Sequence, residues 1–410
     1  MTDRANSESW LTSRRLRAHG LIVGVALWSI YIWTIATPGL RDRNGNFKGT
    51  DFLHFYILGL VSHEHRGPAL YDMKTQSELA AAKVPQSAGI SYLPLYPPQV
   101  SILFAPFAHL SYPRALALWW LLSAAAYFLS CYWTWRACPN LQVHRVTVAI
   151  GAAAFPAFFH LIAWGQTSAV ALACFTAAYF CLRSKRNFFA GVFLGCLAFK
   201  PQLALAAAVI FVAAGTGKIV IGAALSAAAQ FLAGIIYYGA QSFRDWLWML
   251  GNLPSAMPFL EPKSYQTHCL RSFWSMLIPW PGLALALYGI TAVIVLAMTV
   301  SLWRRPSASL NFRFPALLFA TVLVAPHLTV YDLVILAPAI LLLTDWLMIN
   351  ARAALAIPLG TLLYLVYMLP LLGPLARWTH LQLSVIAMSA VLSLIWQNTR
   401  AIQNDSPVNT

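Results

Sequence analysis

Six polar side chains in a largely apolar sequence have the residue types that acid–base catalysis and anion binding require. They are Asp51, His54, Gln166, Lys200, Arg271 and His327. A carboxylate can act as a general base that takes a proton from an attacking hydroxyl. Cationic side chains can hold a phosphate. Because ionisable groups at membrane depth are costly, those that remain in such a sequence are candidates for function.

Asp51 and His54 lie in the string GTDFLHFY, which begins at Gly49. The aromatic residues of this string predict a helix lying against the membrane surface. At helical spacing Asp51 and His54 share one face, so both can serve one site. The alternative is that Asp51 only caps a helix or is a solvated loop acid.

Gln166 and Lys200 each interrupt an apolar stretch. Gln166, in AWGQTSAV, is placed at a turn between two helices, where a structural amide bond between helices is the alternative to ligand binding. Lys200 precedes Pro201, and a proline in the middle of an apolar run breaks the helix there. A buried lysine at that break is a natural phosphate anchor, whereas a lysine that only reaches the headgroups is the alternative.

His327 and Arg271 complete the set. His327 follows a proline in APHLTVYDL, and Arg271 lies in HCLRSFW. A histidine satisfied at a helix junction and a charge on the outer rim are the respective alternatives to roles as phosphate ligands. All six residues are predicted on one side of the membrane, and this convergence is more informative than any one of them.

The composition requires lipid as a solvent. Of 410 residues 60% are hydrophobic and 10% charged, with a mean hydropathy of +0.66, which predicts an all-α polytopic membrane protein. The formal net charge of +15 comes from short basic clusters such as Arg14, Arg15 and Arg17. This pattern is typical of cytoplasmic loops and does not indicate a nucleic-acid partner.

Metal and nucleotide chemistry are not expected. The six cysteines lack a ligand or disulfide pattern, and most fall in apolar segments as small hydrophobic residues. The string GTGK at Gly215–Lys218 lacks the Walker spacing. The sequence therefore predicts no metal and no cofactor.

The basic clusters set the predicted topology. The first apolar run, from Leu21 to Thr37, follows a basic N-terminus and is interpreted as an uncleaved signal anchor, with the N-terminus inside. A long outer loop over residues 38–113 follows. Within it, Tyr96–Leu110 is too short to cross the membrane and would place Arg136 on the wrong side, so it is predicted to lie along the outer face. Ala115–Trp135 is then the second span.

The remaining segments add up to about twelve helices with both termini inside. Two helices are predicted to meet outside at Gly165 and Gln166, and two more at Pro326 and His327. Phe188–Gly215 is interpreted as a hairpin with Lys200 at its outer tip. Residues 240–280 form a second, tryptophan-rich outer loop. One transmembrane domain thus covers residues 1–400, followed by a polar tail over residues 401–410.

Taken in order, the strings GTDFLHFY, SYLPLYPPQVSILFAPFAHLSYPRALALWW, WGQTSAV, AFKPQ and APHLTVYDL resemble those of glycosyltransferase family 87. This family belongs to the GT-C class of membrane enzymes that use polyprenyl-phosphate-linked sugars, and it includes mannosyltransferases. The resemblance covers roughly residues 50–335.

The resemblance implies a GT-C-type fold whose long first outer loop carries the catalytic acid and juxtamembrane helices. Asp51 would be the base in an inverting sugar transfer, most plausibly of a mannose-like hexose, to a lipid or glycan acceptor at the outer face of the inner membrane. His327 would lie near the donor phosphate. Lys200, Gln166 and Arg271 would be looser counterparts of the family's substrate-binding residues.

Two other classes of protein are compatible with a polytopic chain. A transporter or lipid flippase would more often show inverted repeats and broken helices at the midplane, and here only the break at Lys200 and Pro201 fits. A relative that has lost catalysis and serves as a scaffold would lack the acid, yet Asp51 is present.

Overall fold

The computed structural model describes residues 11–253, 263–350 and 355–404, with side chains as far as residue 398. Almost all of these residues lie in helices or in short turns between them. Within the described ranges the only extended pairing is two isolated β-bridges, and no sheet is formed. The prediction of an all-helical protein is confirmed.

Nineteen α-helices occur in the described ranges, and short 3-10 turns connect several of them. They are α1 Ser13–Ile35, α2 Thr50–His63, α3 Met73–Lys83, α4 Gln99–Phe104, α5 Tyr112–Arg136, α6 Arg145–Ala153, α7 Pro156–Trp164, α8 Ser168–Arg183, α9 Asn187–Gly195, α10 Pro201–Ala213, α11 Gly217–Tyr238, α12 Ala240–Gly251, α13 Leu270–Leu277, α14 Pro281–Trp303, α15 Leu310–Val324, α16 Ala337–Ile349, α17 Ala356–Met368, α18 Ala376–Thr379 and α19 Leu383–Asn404.

Six helical stretches of the described chain are long and apolar enough to cross a membrane, and the protein is a multi-pass membrane protein. A seventh span results if the pair Pro139–Ala153 and Pro156–Trp164, bent by 44°, counts as one. Five further apolar helices have only 10–17 residues. Prolines contribute to this shortening, since Pro156 and Pro201 each begin a new helix where the preceding helical segment ends.

The first two long helices overlap the first two predicted spans. The first helix starts earlier than the predicted Leu21, because Thr12 caps it by accepting a hydrogen bond from the Arg15 amide at 3.3 Å. The second long helix covers Tyr112–Arg136 where Ala115–Trp135 was expected.

Between α1 and α5 the chain folds into α2, α3 and α4. The prediction that the GTDFLHFY helix lies against the membrane surface is wrong, because every residue from Phe52 to Ser62 is buried. Helix α4 and the following 3-10 turn, Ala105–His109, pack across α2. A Cβ atom added at Gly59 would come within 2.3 Å of the Phe104 carbonyl oxygen, so the glycine permits this close crossing. A helix that is apolar on all sides is a buried helix.

Two predicted segments extend beyond the described ranges. The second outer loop contains α12 and α13, while residues 254–262 lie outside the described residues. The backbone is helical to Asn404, so the first part of the predicted tail continues α19. Residues 405–410 of that tail lie outside the described residues.

Candidate active site

Asp51 stands in the first turn of α2, at the end of a tightly held loop. The helix begins after Gly49, whose φ of +64° is a left-handed conformation that glycine adopts readily. The Tyr112 hydroxyl donates hydrogen bonds to the carbonyl oxygens of Lys48 and Gly49, at 2.8 and 2.9 Å. The start of α2 is thereby fixed to α5, and its unpaired amides favour a negative charge at Asp51.

Gln166 reaches Asp51 from a different part of the chain. Its Nε2 donates a hydrogen bond to Oδ2 of Asp51 at 2.6 Å. Helix α7 ends at Gly165, with φ +72°, and the Trp119 indole N–H donates to the Gly165 carbonyl at 2.9 Å. The amide does bridge two helices, as the structural interpretation of Gln166 predicts, and its partner is the candidate base itself.

The surroundings of Asp51 favour the protonated carboxyl more than water does. Burial raises the pKa of Asp51 to about 6, although the Gln166 hydrogen bond and the positive charge of Lys200 lower it. The negative charge of Asp332 raises the pKa further, and His327 lowers it. A carboxylate with a pKa near neutrality is suited to accept a proton and to release it again.

Lys200 lies at the break between the 3-10 turn Cys196–Phe199 and α10, as its proline neighbour predicts. Its Nζ is 2.5 Å from Oδ1 of Asp332, and both side chains are almost completely buried. The Ser168 hydroxyl also donates to Oδ1 of Asp332, and the Thr329 amide donates to Oδ2 at 3.3 Å. The lysine is therefore held by an internal counter-ion.

His327 and Arg271 lie together at the edge of this cluster. The Arg271 Nε donates to the carbonyl oxygen of Pro326, the residue before His327. The segment after His327 is held to the second outer loop, because the His268 amide donates to the Leu328 carbonyl at 2.9 Å. A β-bridge between Thr267 and Thr329 extends this contact. His327 is half-buried and close enough to Asp51 to affect its pKa.

His54 occupies a more enclosed position than the other predicted residues. Its ring is buried, with centroids 5.0 Å from Tyr92 and 5.8 Å from Tyr96, and neither ring nitrogen has a hydrogen-bond partner among the described residues. Burial lowers the pKa of His54 to about 4, so the ring is neutral near pH 7.

The structure thus brings five predicted residues, Asp51, Gln166, Lys200, His327 and Arg271, into one connected cluster, with His54 one helical turn away. It also adds Asp332 and Tyr96. Burial and the charges of Asp332 and Asp51 raise the pKa of the Tyr96 hydroxyl. Asp332 had a sequence signal, since it is an acid inside an apolar stretch. Tyr96 had none, because tyrosines are common at membrane interfaces.

Gly165 is a position where a single methyl group should damage the site. We expect Gly165→Ala to lower the melting temperature and the activity, because φ is +72° and the new Cβ would lie 2.6 Å from the Phe52 Cβ, next to Asp51. The matched control is Gly215→Ala, where φ is +71° and no atom lies within 4 Å. Because both glycines have a left-handed φ but only Gly165 has the close contact, comparing the melting temperatures of the two variants in detergent separates the cost of the backbone conformation from the cost of the contact with Phe52. Equal losses in both variants would mean that contact with Phe52 is unimportant.

The fold and the cluster together define a class: a multi-pass membrane protein that gathers ionisable side chains from distant helices around a half-buried carboxylate. Residues 95–329 match the family model described as glycosyltransferase family 87. This match covers more than half of the chain, so the chain belongs to glycosyltransferase family 87 and is a membrane glycosyltransferase. The family resemblance expected from the sequence strings is confirmed.

No curated protein and no solved structure matches the chain. The matched segment contains Gln166, Lys200, Arg271 and His327, whereas Asp51 and His54 precede it. The geometry is therefore the direct evidence that connects Asp51 to the family segment, through its bond to Gln166.

Proposed function

We propose that this glycosyltransferase transfers a mannose-like hexose from a polyprenyl-phosphate carrier to a lipid or glycan acceptor. Transfer takes place at the outer face of the inner membrane and inverts the anomeric centre. Asp51 is the general base, while His54, Gln166, Lys200, Arg271 and His327 bind the substrates.

The observation that carries this proposal is the half-buried Asp51 carboxylate, hydrogen-bonded to Gln166 at 2.6 Å and within electrostatic reach of Lys200 and His327. Burial raises the pKa of this carboxyl to about 6. A base with this pKa is mostly ionised at neutral pH. It also becomes a good proton donor to water once the reaction has occurred.

In the proposed reaction Asp51 takes the proton of an acceptor hydroxyl. The oxygen of that acceptor hydroxyl attacks the anomeric carbon of the donor sugar. The bond between that carbon and the carrier phosphate oxygen breaks, and the polyprenyl phosphate leaves with the bonding electron pair. Attack from the face opposite the phosphate accounts for inversion. The acceptor proton ends on Asp51 and passes to water.

The leaving phosphate gains negative charge, and cationic groups can stabilise it without a cofactor. His327 and Arg271 lie at the edge of the cluster, and Lys200 is within electrostatic reach of Asp51. In the proposed donor complex Lys200 contacts the phosphate as well as Asp332.

The proposed fold is of GT-C type, with about twelve membrane helices in one domain over residues 1–400. Six stretches, or seven with the bent pair, are long enough to cross a membrane, and the proposal also counts the five shorter apolar helices as membrane helices. Placing the basic clusters inside puts Asp51 outside, since Arg14 and Arg17 lie at the start of α1 and the Asp51 loop follows its end.

The first experiment is sugar transfer by purified protein in detergent. A panel of short-chain polyprenyl-phosphate-linked sugars serves as donor and a membrane lipid extract as acceptor. Product formed with one donor, with an inverted anomeric centre by NMR, supports the proposal. If nucleotide sugars support transfer while every polyprenyl-phosphate sugar fails, the proposed donor class is wrong.

The pH dependence tests the assignment of the base. Because Asp51 must be ionised to accept a proton, kcat/KM should rise with pH to a plateau, with a midpoint near 6. In Gln166→Leu the hydrogen bond that lowers this pKa is lost, so the midpoint should move to higher pH. The control is Gln142→Leu. The exposed amide of Gln142 donates to the Arg136 carbonyl, and Gln142 is far from Asp51 along the chain. An unshifted midpoint in Gln166→Leu would separate Gln166 from the titrating group.

A further inference from the structure

A cavity of about 300 Å³ lies among α1, α5, α6, α16 and α17. Its walls are mainly apolar and include Leu16, Val148, Ile340, Leu347 and Leu363. The α1 residues that line it lie in the first part of that helix, whereas the loop that carries Asp51 follows the last part. The cavity is therefore separate from the candidate active site and lies toward the opposite end of α1.

The polar groups of this cavity include two hydrogen-bonded pairs that each contain a histidine. The Tyr364 hydroxyl lies 2.8 Å from Nδ1 of His19, and the Ser13 hydroxyl lies 3.3 Å from Nδ1 of His144. These bonds orient both imidazole rings and leave Nε2 of each as the nitrogen that remains for a ligand.

Basic residues outnumber acidic ones around this end of the cavity, and the nearby acid Asp345 already accepts hydrogen bonds from the Asn140 and Leu141 amides at 2.8 and 3.1 Å. Arg14 and Arg17 belong to the same turns of α1 as Ser13 and Leu16, and Arg145 follows His144. None of the described residues that line the cavity is acidic. The surroundings therefore favour an anion at the polar end.

The mainly apolar lining of the cavity favours a hydrocarbon over water. An apolar cavity of about 150 Å³ inside a protein stays dry and takes up a small hydrocarbon. This one is about twice that volume and falls within the range of ligand pockets. Met348 and Ile357 line it and are also 44% and 42% exposed, so part of its lining reaches the apolar surface of the protein.

We propose that this cavity binds one acyl chain of an anionic glycerophospholipid, with the phosphate against His19 and His144 and near the basic start of α1. The surrounding membrane supplies the apolar chain, and the charge at the polar end selects an anionic headgroup. The bound lipid fills the space between α1 and α17. This site is independent of sugar transfer.

Gly151 provides a variant that closes the cavity. It lines the cavity on α6, and a Cβ atom there would have no atom within 4 Å, so Gly151→Phe projects into open space. Gly360→Leu is a second filling variant, with contacts no closer than 3.6 Å. Gly289→Phe is the matched control, because Gly289 is exposed on α14, outside the cavity, and equally uncrowded.

The experiment titrates delipidated protein with dioleoyl phosphatidylglycerol and with dioleoyl phosphatidylcholine, and follows bound lipid by native mass spectrometry and melting temperature. We expect phosphatidylglycerol to bind at least tenfold more tightly and to raise the melting temperature. Gly151→Phe and Gly360→Leu should each lose this binding by tenfold or more, while Gly289→Phe keeps it. In the double variant His19→Asn and His144→Asn the two lipids should bind alike.

Three results would overturn the proposal. One is unchanged phosphatidylglycerol binding in a folded filling variant. Another is equal binding of the two lipids to the unmodified protein. The third is co-purification of polyprenyl phosphate in the cavity in preference to phospholipid.

Discussion

Replacing Asp51 by asparagine should reduce sugar transfer by a factor of about 10²–10⁴, the usual contribution of a general base. Asparagine keeps the size of the side chain, and its carbonyl oxygen can still accept the hydrogen bond that Gln166 donates at 2.6 Å in the native protein. It cannot take a proton from the acceptor hydroxyl. Binding of the donor should therefore change little while turnover is lost.

Three quantities are measured on purified protein: kcat for sugar transfer, the affinity for the donor by calorimetry, and the melting temperature. Asp72→Asn is a suitable control. Asp72 is an exposed acid that caps α3 by accepting from the Lys74 amide at 3.0 Å, and asparagine caps helices equally well. The Asp72→Asn variant should retain full activity. Asp51→Asn with more than a tenth of normal turnover would show that another group accepts the proton.

The second large effect concerns the buried ion pair of Lys200 and Asp332. We expect Lys200→Met or Asp332→Asn alone to lower the free energy of unfolding by about 3–5 kcal/mol, because each leaves an uncompensated charge in a buried site. The double variant should lose clearly less than the sum of the two single losses. Thermal and denaturant unfolding in detergent measure these changes.

The control pair is Lys74 and Glu78, which is exposed and has a distance of 3.9 Å. Lys74→Met should cost only a few tenths of a kcal/mol. Strict additivity at Lys200 and Asp332 would mean that the two side chains are not energetically coupled.

The same variants distinguish two roles of Lys200. If Lys200 only balances Asp332, the double variant should recover both stability and sugar transfer. If Lys200 also contacts the donor phosphate, the double variant should recover stability but remain poor in donor binding. We expect the second result, since Lys200 lies within electrostatic reach of Asp51.

The site was predictable in part. The sequence indicated Asp51, Gln166, Lys200, Arg271 and His327 because polar groups in an apolar chain are expensive and therefore conspicuous. The prediction that α2 lies at the membrane surface was wrong, because the same aromatic residues are compatible with a helix that faces lipid and with a helix that faces protein. Both environments are apolar, and hydropathy does not distinguish them.

By itself the sequence determined that this protein uses lipid as its solvent, that it is helical, and where its chain breaks at prolines. These properties depend on each segment's own transfer free energy and backbone restrictions, so local composition is sufficient to predict them. Only the tertiary structure determined which polar side chains contact each other. Gln166 is hydrogen-bonded to Asp51, 115 positions away in the sequence, and Lys200 to Asp332, 132 positions away. Such contacts depend on how separate helices pack, and the cost of burying a charge indicates that a partner must exist without identifying it.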